Sequence, residues 1–176
     1  MIEKSTCSKN LLIRSAQVKD AAEIILMVKQ VFDEAPYFPR TAEEFDITID
    51  KEEEYIENIA LFLISEIEGK IVGSATLDRS TLSKLNHAAT FGITILKEYC
   101  GLGIGSLLTN KVIEWSEQNG VEKIDLEVFA DNIPAIGLYK KFGFIEEGRK
   151  IKAIKSNEEY KDIILMSKFL KAGEIL

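Results

Sequence analysis

A short apolar run opens Leu11–Ala16, and apolar residues then recur at helical spacing after Asp20, at Ala21, Ile24, Ile25, Val28 and Phe32. That change of pattern predicts a short strand followed by a helix, with Asp20 at the cap. Pro36 and Pro39 make Ala35–Arg40 a loop. Thr41 with Glu44, and Asp50 with Glu53, have the spacing of capping boxes. They predict one or two short helices between Thr41 and Asn58, with the charged run Lys51–Glu54 on an exposed face. Ala60–Ile67 and Lys70–Leu77 are apolar and β-branched around Glu68-Gly69, the signature of a hairpin. Arg79–Asn86 reads as loop, and Ala88–Leu96 as the next strand.

The second half repeats the alternation of types. Ile104–Gln118 is helical, with Ile104, Leu107, Leu108, Val112 and Trp115 as its apolar stripe and Asn119-Gly120 as its stop. Lys123–Phe129 alternates as a strand. Pro134 sits in the first turn of another helix, where its missing N–H costs nothing, and Lys140, Lys141 and Gly143 end it. Phe144–Ile154 and Tyr160–Leu170 are two long strands joined around Ser156-Asn157. The order predicts one α/β domain over residues 11–171, with a central mixed sheet flanked by helices. Residues 1–10 are expected to be a flexible N-terminus and 172–176 a C-terminal tail.

Composition narrows the function. The chain has 176 residues and a net charge of −7, which argues against general nucleic-acid binding. No apolar run is long enough to span a membrane, and Met1–Asn10 has no apolar signal core, so a cytoplasmic protein is expected. Cys7 and Cys100 are the only cysteines and His87 the only histidine. A disulfide framework, a four-Cys zinc site and a Ser-His-Asp triad are therefore not expected, and no metal is assigned.

The densest chemical signal is Cys100-Gly101-Leu102-Gly103-Ile104-Gly105-Ser106, between a predicted strand and a predicted helix. Glycine at every second position suits neither element. It does let bare backbone N–H groups approach an anion at a helix N-terminus, where unpaired N–H groups and the dipole point the same way. A diphosphate-bearing ligand follows. A dinucleotide fingerprint needs Gly or Ala at its sixth position, but Ser106 or Leu108 stands there, depending on the first glycine counted. A nucleotide P-loop fails because no Gly-Lys-Ser/Thr follows.

The segment resembles the acetyl-CoA loop of the GNAT superfamily of N-acetyltransferases, Arg/Gln-x-x-Gly-x-Gly/Ala, with Cys100, Gly103 and Gly105 at those positions. Cys100 departs from the pattern: a side-chain contribution is lost and the backbone cradle is kept. A thiol so placed could have a lowered pKa, making it an oxidation site. Val128–Phe144, which contains Asn132-x-x-Ala135, Leu138-Tyr139 and Gly143-Phe144, is similar to the family's second signature. Ile13–Ala16 with Asp20-Ala21, and the closing strand with Asp162 and Met166, extend the resemblance from about Leu12 to Leu170.

The resemblance implies a largely antiparallel sheet that splays at one parallel pair, Thr90–Leu96 beside Lys123–Phe129. It implies acetyl-CoA as co-substrate, its pantetheine arm paired with backbone of Ile93–Leu96, including Ile93, Ile95 and Leu96. Its diphosphate would lie on Cys100, Gly101, Leu102, Gly103, Ile104, Gly105 and Ser106. Tyr139 is the implied general acid at the thioester sulfur; an aromatic packed in the core is the alternative. Asn132 either caps its helix or contacts the cofactor. The expected reaction is direct acetyl transfer to a primary amine: a small amine, an amino acid, a polyamine or a peptide amine. A catalytically silent acyl-CoA sensor is the alternative, and a homodimer is plausible for the family. The base is left open among Glu34, Glu66, Asp78 and water, with His87 expected in a surface or loop-bonding role. The acceptor pocket is expected to be built mainly by the Val31–Asn58 segment and the long final hairpin.

Overall fold

A computed structural model of the chain describes residues 10–156 and 158–170. The predicted N-terminal segment up to residue 9, Asn157 and the tail from residue 171 lie outside the described residues. The elements are β1 (Leu11–Ser15), α1 (Ala21–Glu34), α2 (Ile49–Asn58), β2 (Leu61–Ile67), β3 (Lys70–Arg79), β4 (Ala88–Ile95), α3 (Ile104–Gln118), β5 (Lys123–Phe129), α4 (Ile133–Lys141), β6 (Ile145–Ser156) and β7 (Glu159–Phe169). One seven-stranded sheet has the order β1-β2-β3-β4-β5-β7-β6.

All neighbouring strands are antiparallel except β4 and β5. That parallel pair holds only from Ala88↔Lys123 to Thr90↔Asp125. β4 stays paired with β3 as far as Ile95, and β5 stays paired with β7 as far as Phe129. The two strands therefore part company in mid-sheet, and their C-terminal halves open a slot.

The core explains why the strands stay put elsewhere. Ile64, Ile71, Val72, Leu77 and Ile124 are fully or almost fully buried in the sheet, and Ile24, Val31, Leu108 and Val112 come onto it from α1 and α3. Burial of such side chains contributes roughly 1.5–3 kcal/mol each. Glu68 and Gly69 both take positive φ (53° and 81°), the two-residue turn that matches strand twist in the β2–β3 hairpin.

Several local expectations need correction. Asp20 stands at the start of α1 but makes no side-chain cap bond to it. Its carboxylate turns back to accept the Gln17 N–H (2.8 Å) and two Arg14 nitrogens (2.6 and 3.0 Å). The Thr41–Glu44 box does form, at 2.8 and 3.2 Å, but closes a single turn because Phe45 drops into the core against Phe32. α2 is capped by Thr48, which accepts the Lys51 N–H, and not by Asp50. Within Lys51–Glu54, Glu52 is buried, and its burial raises its pKa. The buried face of α3 is Ile104, Leu108, Thr109, Val112, Ile113 and Ser116, so the stripe is rotated and Leu107 is exposed.

Candidate active site

The chain leaves β4 through a 3-10 turn, Lys97–Tyr99, and reaches α3 through Cys100–Gly103. Gly101 and Gly103 have φ of 79° and 88°. An added Cβ at either would meet nothing within 4 Å, so left-handed backbone is what requires glycine there. Gly105 serves packing instead: a Cβ would sit 3.2 Å from Leu138 Cδ2 and 3.5 Å from Ile95 Cδ1.

Gly103 occupies the N-cap of α3 and offers no side-chain cap. The first intrahelical bond runs from the Leu107 N–H to the Gly103 carbonyl (3.1 Å). The N–H groups of Ile104, Gly105 and Ser106 therefore have no intrahelical acceptor. A 15-residue helix thus presents an uncapped, positively polarised end to the loop. These donors, with open space above two glycines, fit a diphosphate.

A cleft of about 790 Å³ begins at this loop and runs through the slot between β4 and β5. Ile93, Ile95, Cys100, Gly101, Gly103, Gly105, Ser106, Asn132 and Tyr139 all line it. Leu96, Leu102 and Ile104 do not. Leu96 and Ile104 are buried in the core, which leaves only their backbone for a ligand, and the Leu102 side chain is exposed outside the cleft lining. Asn132 caps α4 by accepting the Ala135 N–H (3.3 Å) and also lines the cleft.

Tyr139 is buried and packs edge-on to Phe91 (6.1 Å) and tilted to Phe144 (5.7 Å). Burial pushes its pKa up to about 12. The phenol is thus protonated throughout the neutral range. The Cys100 thiol corrects an expectation. Its pKa is raised, first by burial and then by the negative charge of Glu34, opposite to the lowering expected at a helix N-terminus.

The wall beyond Tyr139 comes from four segments. Tyr37 stands edge-on to Phe129 (6.2 Å), Phe38 packs on Phe32 (4.7 Å), and Ile154 and Ile163 close the side. Fold and cleft together can be compared with known proteins. Residues 25–144 match the acetyltransferase (GNAT) family.

The chain belongs to the GNAT acetyltransferase family.

It is 37% identical over 107 residues to the L-amino acid N-acetyltransferase AaaT of Escherichia coli, covering 60% of this chain and 66% of that protein. It is 33% identical over 150 residues to an N-alpha-acetyltransferase of Sulfurisphaera tokodaii, covering 78% and 82%. The crystal structure of a GNAT acetyltransferase from Streptococcus pneumoniae superposes with a TM-score of 0.87 at 30% identity, over 92% of this chain and all of that one. The GNAT sheet, with its parallel pair and flanking helices, is the fold described above, and the protein is an acyltransferase of the family that uses acetyl-CoA.

Of the carboxylates weighed from sequence, the GNAT cleft takes in only Glu34. It accepts Gln30 Nε2 (2.7 Å) and the Lys97 backbone N–H (3.0 Å), and these bonds lower its pKa. Glu66 is committed to Arg14 on β1. Asp78 and His87 are exposed and off the cleft, and the His87 carbonyl accepts the Glu122 N–H (2.7 Å). Tyr37, Phe38, Ile154 and Ile163 lie in the two segments expected to build the acceptor pocket but were not singled out, and Lys97, Glu127 and Phe129 were missed as lining residues. Two aromatics held between Pro36 and Pro39 were the available signal; the rest become neighbours only in the fold.

Proposed function

We propose that this protein transfers the acetyl group of acetyl-CoA directly to a primary amine, with no covalent enzyme intermediate. One observation carries the reading. A single cleft joins the uncapped N-terminus of α3 to the aromatic wall at Tyr37 and Phe129, and passes Tyr139 on the way. Donor and acceptor can then meet in line, which removes most of the entropic barrier to attack.

In this scheme the N–H groups of Ile104, Gly105 and Ser106 hold the diphosphate. The free edge of β4 beyond Thr90, which has lost β5 as a neighbour, pairs with the pantetheine arm and polarises the thioester carbonyl. Glu34 gives the cleft a negative charge, which favours arrival of the amine as an ammonium ion, while Glu127, also in the lining, is paired with Lys150 (2.5 Å). Water in the cleft then takes the proton that attack requires.

Tyr139 faces the leaving sulfur in this scheme. A thiol titrates near 8.5, roughly three to four units below this phenol, so complete transfer from Tyr139 to the thiolate is uphill. Its contribution is a hydrogen bond to the departing thiolate. Both relatives named above carry the names of amine acetyltransferases, which supports an amine as acceptor.

Tyr139→Phe tests the assignment. The expected result is a fall in kcat of about 100-fold, with the acetyl-CoA Kd within about twofold of wild type. Unchanged kcat would remove the role.

A further inference from the structure

Beyond Tyr139 the cleft is walled by apolar side chains from two sources. Phe129 on β5 and Ile163 on β7 stand opposite each other in the antiparallel ladder, so their side chains share one face of the sheet. Ile154 on β6 stands opposite Lys161, two residues before Ile163, and belongs to the same face. Tyr37 and Phe38 come over from the loop after α1. All five of Tyr37, Phe38, Phe129, Ile154 and Ile163 line the cleft.

The wall is held in place by its own contacts. Pro36 and Pro39 flank the two loop aromatics and fix φ on either side of them. Phe38 packs on Phe32 (4.7 Å), which meets Phe45 edge-on (5.3 Å) at the core. Tyr37 stands edge-on to Phe129 (6.2 Å). The Lys161 ammonium, outside the cleft lining and bonded to Asp131 (2.8 Å), lies 5.5 Å from the Tyr37 ring centre and 5.8 Å from that of Phe129. That is within cation–π range of both rings. Yet Tyr37, Phe38 and Ile154 stay only half-buried, so this concave apolar surface is one that a ligand can cover.

The charges of the lining point the same way. Among the described residues its only acids are Glu34 and Glu127. Glu34 already accepts Gln30 Nε2 (2.7 Å) and the Lys97 N–H (3.0 Å), and Glu127 is paired with Lys150 (2.5 Å). Lys97 adds a cation to the same lining. A polyamine brings two or more ammonium groups. Beyond the one that Glu34 attracts, each would lose water against apolar surface without gaining an anion. On the transferase reading given above, we propose that the wall of Tyr37, Phe38, Phe129, Ile154 and Ile163 selects a primary amine borne on an apolar body, branched aliphatic or aromatic, and rejects polyamines.

The test is thiol release from acetyl-CoA with glycine, L-leucine and L-phenylalanine as acceptors. Each is offered as the free acid, as the amide and as the first residue of a dipeptide, with spermidine beside them. The side chain is thereby varied independently of the carboxyl end. Wild type, Tyr37→Ala and Phe129→Leu are compared; the second keeps the sheet interior apolar. Melting temperatures with and without acetyl-CoA check that each variant folds and keeps its donor site. In wild type, leucine or phenylalanine forms are expected to exceed the matching glycine form in kcat/KM by about tenfold or more, carried mostly by KM. Spermidine falls below them. In at least one variant the ratio of phenylalanine to glycine forms drops by about threefold or more, whereas a general structural fault lowers both and leaves the ratio alone. Glycine forms or spermidine serving wild type as well as the apolar forms overturns the proposal, as does a ratio unchanged in both variants. Acetyl-CoA binding without thiol release from any amine contradicts the transferase reading, and this proposal falls with it.

Discussion

The Glu34 carboxylate accepts the backbone N–H of Lys97 at 3.0 Å, and so ties the last residue of α1 to the turn that leads into the glycine loop. The residues after Glu34 form the aromatic side of the cleft, and the residues after Lys97 form its diphosphate side. One carboxylate therefore sets the spacing between the two halves of the site.

Replacing Glu34 by Ala removes that tie. A hydrogen bond to a charged group contributes about 1.5 kcal/mol or a little more, and exposure trims this. A rise of roughly three- to tenfold in the KM for acetyl-CoA is expected, and steady-state kinetics at fixed amine would measure it. Unaltered KM for both substrates would show that the loop holds its place without α1.

Arg14 and Asp20 predict a pH dependence of stability. Asp20 is buried, and the Arg14 guanidinium, then the Gln17 N–H, hold its pKa below the usual carboxylate value. A depressed folded pKa contributes stability above the unfolded value near 3.9 and loses it as pH falls through the folded one. Arg14→Ala should therefore cost about 2 kcal/mol at neutral pH, since it strands a buried carboxylate. The gap between variant and wild-type melting temperatures should narrow as pH drops below about 4. A gap independent of pH would assign the loss to packing alone.

Gly103 and Gly105 should respond differently to alanine. At Gly103 the left-handed backbone makes alanine cost about 1–2 kcal/mol, and the distorted loop should weaken acetyl-CoA binding. At Gly105, in the first turn of α3, alanine gains helix propensity and has only the Leu138 side-chain tip to displace. Thermal melts with titrated acetyl-CoA should show Gly103→Ala losing both stability and affinity, and Gly105→Ala keeping its stability. Equal losses would contradict the separation of the two roles.

The elements were legible where their signals were local. Ile104–Gln118 and Lys123–Phe129 coincide with the sequence reading, because glycines and an Asn-Gly pair mark their limits. The face of α3 was misjudged because Thr109 and Ser116 are buried while Leu107 is exposed, which inverts the hydrophobic pattern on one edge of the helix. The glycine loop, one continuous segment, could be read as an anion cradle. The acceptor wall was legible only as two segments, Val31–Asn58 and the final hairpin, and not as a geometry: Tyr37, Phe129, Ile154 and Ile163 become neighbours only when β5 leaves β4 and the β6–β7 hairpin folds back beside it.

The most direct test of the central claim is release of free thiol from acetyl-CoA by the purified protein, with amino acids, polyamines and short peptides offered in turn. The account predicts release that depends on one class of amine, and a mass increase of one acetyl group on that amine. Acetyl-CoA that stabilises the protein yet yields no thiol with any amine would contradict it, leaving a protein that binds the donor without transferring from it.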